Sequence, residues 1–118
     1  MQRVLIVEDD AILRDFLVDT LELKGYSTAA VADGAAAVAY LKNESVDLVV
    51  SDVRMPEMDG VTLCLHLAQS EPGLPVVLIS GAGPTDRDRF RKESGAWACL
   101  PKPLRVREFC QILTEAVA

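Results

Sequence analysis

The chain alternates short apolar runs with stretches in which apolar residues recur every three or four positions. Arg3 to Val7 (RVLIV) is a nearly continuous apolar run, as in a strand covered on both faces. From Ala11 to Lys24 the period changes. Leu13, Phe16, Leu17 and Leu21 fall at helical spacing, a stripe for the core, and Gly25 stands where that helix should stop. Tyr26 to Val31 reads as a second strand. Asp33 can cap a helix running to about Asn43, with Val38 and Leu41 inward. Val46 to Ser51 is the third strand, and Asp59 can cap a helix over Gly60 to Gln69. Pro75 to Ile79 (PVVLI) is the fourth strand. Thr85 to Ser94 is a weak helix with Phe90 as its one large apolar residue, and Trp97 to Leu100 is a fifth strand. Val106, Phe109, Cys110, Leu113 and Val117 then mark the last helix with a 3.6-residue period.

Five strands thus alternate with five helices. Continuous apolar strands joined by helices imply a parallel sheet with helices on both faces. Right-handed crossovers make it a doubly wound, flavodoxin-like α/β sandwich of three layers with strand order 2-1-3-4-5. The 118 residues suit one domain over residues 1–118, with no linker, repeat or output module expected.

Charge and cysteine usage narrow the setting. A formal net charge of −6 argues against nonspecific binding to nucleic acid or to an anionic membrane. No apolar run reaches the roughly 20 residues of a membrane span, and no secretory leader is visible. The three cysteines, Cys64, Cys99 and Cys110, have neither metal-site nor redox-motif spacing. They read as buried free thiols in a reducing, cytoplasmic setting.

The segment VDLVVSDVRMPEMDG poses a chemical problem, because an apolar strand runs into the carboxylate of Asp52. Burying a lone carboxylate is costly. In open α/β sheets, ligands bind beyond the carboxyl ends of the strands, where strand order reverses. For order 2-1-3-4-5 that place lies between the first and third strands. The first strand ends in Glu8-Asp9-Asp10 and the third in Asp52, so two acidic tips meet. Clustered carboxylates repel and call for a cation. Oxygen-only ligands with room for water suit Mg²⁺ better than zinc, and His66 is the only histidine. Taken alone, EDD reads equally as a solvated loop with Asp10 as a helix cap. Two further tips change that balance: Ser80 in LISGAG, with glycines behind it, and Lys102 in LPKPL, held between prolines. Acids, a hydroxyl, glycine-flanked amides and an ammonium together suit a dianionic phosphoryl group bound with Mg²⁺. Asp52 is the best-placed nucleophile for it.

VLIVEDD, VVSDVRMPEMDG, VVLISG and PKPL, in this order and at strand ends, resemble the receiver domains of bacterial two-component response regulators. The resemblance covers the whole chain. It implies that Asp52 accepts a phosphoryl group from a sensor histidine kinase or a histidine phosphotransfer protein. Asp9 and, beside it, Glu8 would hold Mg²⁺ with Asp52 and the backbone carbonyl of Arg54. Ser80, Gly81, Lys102 and the backbone of Arg54 would bind the phosphoryl group, with Ser80 as the switch hydroxyl. The Lys102–Pro103 bond would be cis, and Asp10 would remain a cap. No catalysis is implied beyond self-phosphorylation and slow autodephosphorylation. The signal would be a population shift of the fourth helix, fifth strand and fifth helix toward a downstream protein or output domain. Homodimerisation through the same elements is left open.

The sequence departs from that pattern at Cys99, three residues before Lys102, where the family usually carries a rotating switch aromatic. A thiol cannot swing a ring in behind Ser80. Trp97 either shares that switching role or simply packs on a helix. The polar fourth helix is expected to be the least stable and to shift on activation. Arg54, flanking the attack path, is expected to affect the lifetime of the phosphorylated state. Other functions remain in view. A degenerate receiver would bind partners without phosphorylation. An aspartyl-phosphate phosphatase would need an acid where Arg54 stands. A phosphotransfer role for His66 would need a helical bundle.

Overall fold

The computed structural model describes residues 2–118. In chain order the elements are β1 (Arg3–Val7), α1 (Ala11–Leu23), β2 (Ser27–Val31), α2 (Gly34–Leu41), β3 (Leu48–Asp52), α3 (Gly60–Ser70), β4 (Val76–Ser80), α4 (Pro84–Ser94), β5 (Ala98–Pro101) and α5 (Val106–Ala116). All strand pairs are parallel, in the order β2-β1-β3-β4-β5. This is the expected doubly wound sheet.

The strands are short, so burial must come from both faces. β3 and β4 are buried at every residue. One face carries Leu5, Val7, Val49 and Leu78 against Ala37, Leu41, Leu63 and Leu67 of α2 and α3. The other carries Val4, Ile6, Val50 and Ile79 against Leu17 and Leu21 of α1 and Phe109 and Leu113 of α5. Successive strand residues point to opposite faces, which is why continuous apolar runs fill two separate cores.

Helix starts follow the expected acidic caps. Asp10 accepts from the Ile12 and Leu13 amides, Asp33 from Ala36 and Asp59 from Thr62. Gly25, with φ +93°, lies just beyond the cap of α1, where an L side chain would be strained.

Several details differ from the sequence-based expectations. β3, β4 and β5 begin and end one or two residues later than their apolar runs suggest. Asp52 is consequently paired with Ile79, and Ser80 with Pro101, as the last rungs of the sheet. Apolar content marks where a chain is buried, whereas pairing continues into the polar tips. Phe16 is 45% exposed. The inward line of α1 runs through Leu17 and Leu21, and one residue's rotation of about 100° carries Phe16 to the rim. Only Cys64 is buried, while Cys99 and Cys110 are partly buried free thiols. α4 buries only Ser94; its ion pairs Arg89–Asp86 and Lys92–Asp88 are solvent-exposed and contribute little. Among the described residues no helix is long and apolar enough to cross a membrane.

Candidate functional site

Strand pairing places the reactive groups. β1 and β3 are neighbours, so Glu8 and Asp9, just past β1, lie beside Asp52. Ligand oxygens of Glu8, Asp9 and Asp52 lie within 4.8 Å of one another. Glu8 is 1% exposed and Asp52 6% exposed, while Asp9 faces solvent. Two carboxylates are therefore lodged at the edge of an apolar sheet, with a third at the mouth.

Lys102 supplies the nearest opposite charge. Its Nζ donates to Asp52 Oδ2 at 2.7 Å and stands 3.6 Å from Glu8 Oε1. Its backbone amide donates to the Ser80 carbonyl at 3.0 Å, and the Lys102–Pro103 bond is cis. The ammonium thus reaches in from a backbone pinned to β4. Partial burial pulls the Lys102 pKa down, but the hydrogen bond and charge of Asp52, with help from Glu8, outweigh that, and it stands above its usual value.

One ammonium does not satisfy the cluster. Burial drives the Glu8 pKa from 4.5 to about 7. The Asp10 amide bonded to its other oxygen, 3.1 Å away, works against this, and the charge of Asp52 adds to it. Glu8 Oε1 is buried without a hydrogen-bond partner. A buried carboxylate oxygen without a hydrogen-bond partner, on a residue clustered with two more carboxylates, fits a hard divalent cation with oxygen ligands. The residues present therefore fit the metal that the sequence implied.

The second Asp52 oxygen, Oδ1, accepts from the Arg54 amide at 3.3 Å. Ser80 is buried at the tip of β4, and its Oγ accepts from the Ala82 amide at 3.1 Å. Arg54, Gly81 and Ala82, from the loops that follow β3 and β4, line a cavity at this end of the sheet. The arrangement offers a buried nucleophilic carboxylate, an ammonium, a hydroxyl and an opening flanked by loop amides.

The sequence matches the response regulator receiver domain family over residues 4–114. This chain belongs to that family. It is 40% identical over 113 residues to the response regulator protein FleR of Pseudomonas aeruginosa, covering 96% of this chain and 24% of FleR. It is 33% identical over 114 residues to the transcriptional regulatory protein GlrR of Escherichia coli, covering 97% of this chain and 26% of GlrR. The chain thus spans about a quarter of the length of these relatives. Among solved structures, the receiver domain of a signal transduction histidine kinase from Syntrophus aciditrophicus superimposes with TM-score 0.90 at 34% identity, covering 99% of this chain and 90% of that one. A receiver domain protein from Methanospirillum hungatei gives 0.91 at 27%, covering 99% and 94%.

In this receiver the acidic pocket of Glu8, Asp9 and Asp52 fits a phosphoacceptor site. Not every expected site residue is gathered there. Cys99 pairs with Leu78, two rungs below Ser80, and packs on the α2–α3 core. Trp97 is 51% exposed, and its amide bonds to the Val76 carbonyl at the opposite end of β4 from Ser80. Trp97 is thus remote from Ser80. The Arg54 side chain is exposed, and His66 is exposed on α3, lining a cleft with Val38, Lys42 and Glu71.

Three supporting residues escaped the sequence reading. Gly60 N–H donates to the Val53 carbonyl at 2.8 Å. A Cβ at Gly60 would collide with the Asp52 carbonyl oxygen and lie 3.0 Å from Val53 Cα. A close backbone approach of this kind admits only glycine, and the MDG triplet was its one signal. Arg14 Nη1 donates to the Glu8 carbonyl at 2.8 Å, bracing the acidic tip from α1. Arg87 Nη1 donates to the Ala82 carbonyl at 2.6 Å. No local sequence pattern marks either arginine, because both act across a loop.

Proposed function

We propose that this receiver accepts a phosphoryl group on Asp52 from a phosphohistidine of a sensor kinase or phosphotransfer protein, in the cytoplasm, and signals through its α4–β5–α5 face to a downstream protein or output domain. One observation carries the reading. The Asp52 carboxylate sits 2.7 Å from the Lys102 ammonium, within a cluster of buried and exposed acids, at the end of the sheet where the loops of Arg54, Gly81 and Ala82 line a cavity. An Asp52 oxygen attacks phosphorus as the P–N bond breaks, and the departing imidazole keeps the electron pair. Lys102 offsets charge on the transferring oxygens, and Ser80 Oγ and the Gly81 amide are the donors at hand. Glu8, Asp9 and Asp52, with the Arg54 carbonyl, would hold Mg²⁺, which when bound neutralises charge on the phosphoryl oxygens. Water attack on phosphorus later returns the carboxylate and inorganic phosphate.

An esterase-like phosphatase is disfavoured because Arg54 occupies the place of a leaving-group acid. Phosphorylation-independent binding is disfavoured by the complete set of Asp9, Asp52, Ser80 and Lys102. Incubation with acetyl phosphate and Mg²⁺ followed by intact mass measurement tests the proposal. One added phosphoryl group, absent in Asp52→Asn, is expected. No addition under any donor, or equal addition in Asp52→Asn, would overturn it.

A further inference from the structure

We propose that Arg87 is a positioning residue that holds the unphosphorylated state, by clamping the Ser80–Gly83 loop to the first turn of α4 where a switch aromatic is missing. The proposal rests on Asp52 as phosphoacceptor and adds the coupling route from that site to α4.

Three features support it. Arg87 is the only partly buried charged residue of α4; Asp86, Asp88, Arg89, Arg91, Lys92 and Glu93 are all exposed. Its neighbours Arg89 and Lys92 pair with carboxylates, whereas the Arg87 guanidinium donates to a backbone carbonyl, that of Ala82. Ala82 is held at both ends: its N–H bonds Ser80 Oγ at 3.1 Å and its C=O accepts from Arg87 at 2.6 Å. A continuous chain of hydrogen bonds therefore runs from the buried hydroxyl beside Asp52 to α4. Gly81 and Gly83 on either side of Ala82 leave that loop free to move as a unit. The Arg87 charge also acts on the Cys99 thiol, whose pKa burial raises and Arg87 lowers.

The consequence is mechanical. If Ser80 moves toward a phosphoryl group on Asp52, Ala82 moves with it and its carbonyl leaves the guanidinium. The first turn of α4 loses a tether, and the surface gains an unpaired cation. Arg87 therefore opposes the phosphorylated conformation. Removing it should favour that state by the worth of one partly solvated hydrogen bond.

Beryllofluoride with Mg²⁺, a stable mimic of the phosphoryl group, tests this. Its affinity is read from the Ser80 and Ala82 amide resonances in wild type, Arg87→Met and Arg87→Lys. Methionine keeps the apolar stem and helix propensity but has no donor; lysine keeps a donor without the planar fork. Arg87→Met should bind beryllofluoride roughly three- to tenfold more tightly than wild type, with Arg87→Lys between them. Amide exchange in the first turn of α4 should quicken in Arg87→Met before any ligand is added. A lower melting temperature with unchanged beryllofluoride affinity, in both variants, would make Arg87 an ordinary structural contact and overturn the proposal. Failure of wild type to bind beryllofluoride, or binding that survives Asp52→Ala, would instead sink the phosphoacceptor reading, leaving the exchange measurement to decide whether Arg87 tethers α4.

Discussion

Replacing Glu8 by glutamine should stabilise the metal-free protein at alkaline pH and do little at acid pH. Glu8 is buried, its Oε1 has no hydrogen-bond partner, and burial lifts its pKa from 4.5 to about 7. A group whose folded pKa is raised stabilises the fold most below its unfolded pKa. That contribution disappears as pH rises through about 7, where the buried carboxylate must ionise. At about 1.4 kcal/mol per pH unit the displacement amounts to about 3 kcal/mol at about pH 8, and under about 1 kcal/mol at about pH 5. Glutamine has the same shape and never ionises. In EDTA, Glu8→Gln should therefore melt higher than wild type by about 10 °C at about pH 8 and by only a few degrees at about pH 5. Lys102, 3.6 Å from Oε1, reduces the gain, because its attraction to the ionised form is lost with the charge. Adding Mg²⁺ at about pH 8 should stabilise wild type more than the variant, narrowing or reversing the order. The measurement is thermal unfolding by circular dichroism at both pH values, with and without metal. An equal difference between the two proteins at both pH values would show that Glu8 is not held in an unfavourable ionised state, and the electrostatic account of the site would fail.

Gly60→Ala should cost about 2 kcal/mol or more by chemical denaturation, because the new Cβ meets the backbone of Asp52; a loss below about 0.5 kcal/mol would show that β3 yields easily. Leu21→Ala should cost about 3 kcal/mol, while Leu23→Ala on the same helix should change stability by less than about 0.5 kcal/mol, since the first side chain is fully buried and the second largely exposed; equal costs in urea titrations would contradict the packing of α1. Amides of α4 should exchange with deuterium faster than those of α1, because α4 buries only Ser94; equal protection would refute its weak attachment.

Much of this was legible in the sequence because the responsible forces are local. Apolar runs marked every strand but β2, and three aspartates named the starts of three helices through short side-chain-to-amide bonds. The acids and Lys102 were legible because strand order sends their tips to one rim. Strand ends were missed by a residue or two, since Asp52 and Ser80 are paired despite being polar. Phe16 was misplaced because periodicity marks a stripe without fixing its edge. Arg14 and Arg87 were invisible, and Gly60 nearly so, for a different reason. Each acts on a backbone atom of another segment, and backbone atoms carry no sequence signature.

The same contacts explain why a site so poorly neutralised can be tolerated. Asp52 and Ser80 are sheet rungs, Gly60 packs under Asp52, and Arg14 grips the Glu8 carbonyl, so the acids cannot spread apart to relieve their repulsion. What can yield is the loop after Ser80 and the thinly packed helix beyond it. Charge added at Asp52 therefore finds a stiff rim on the β1 and β3 side and a compliant one on the β4 side. Motion is therefore expected on the compliant side. That asymmetry is set by burial and backbone contact rather than by any ring at position 99, so replacing Cys99 with an aromatic should alter the amplitude of the α4 response while leaving its direction toward α4 unchanged, as chemical-shift differences between free and beryllofluoride-bound Cys99→Tyr would reveal.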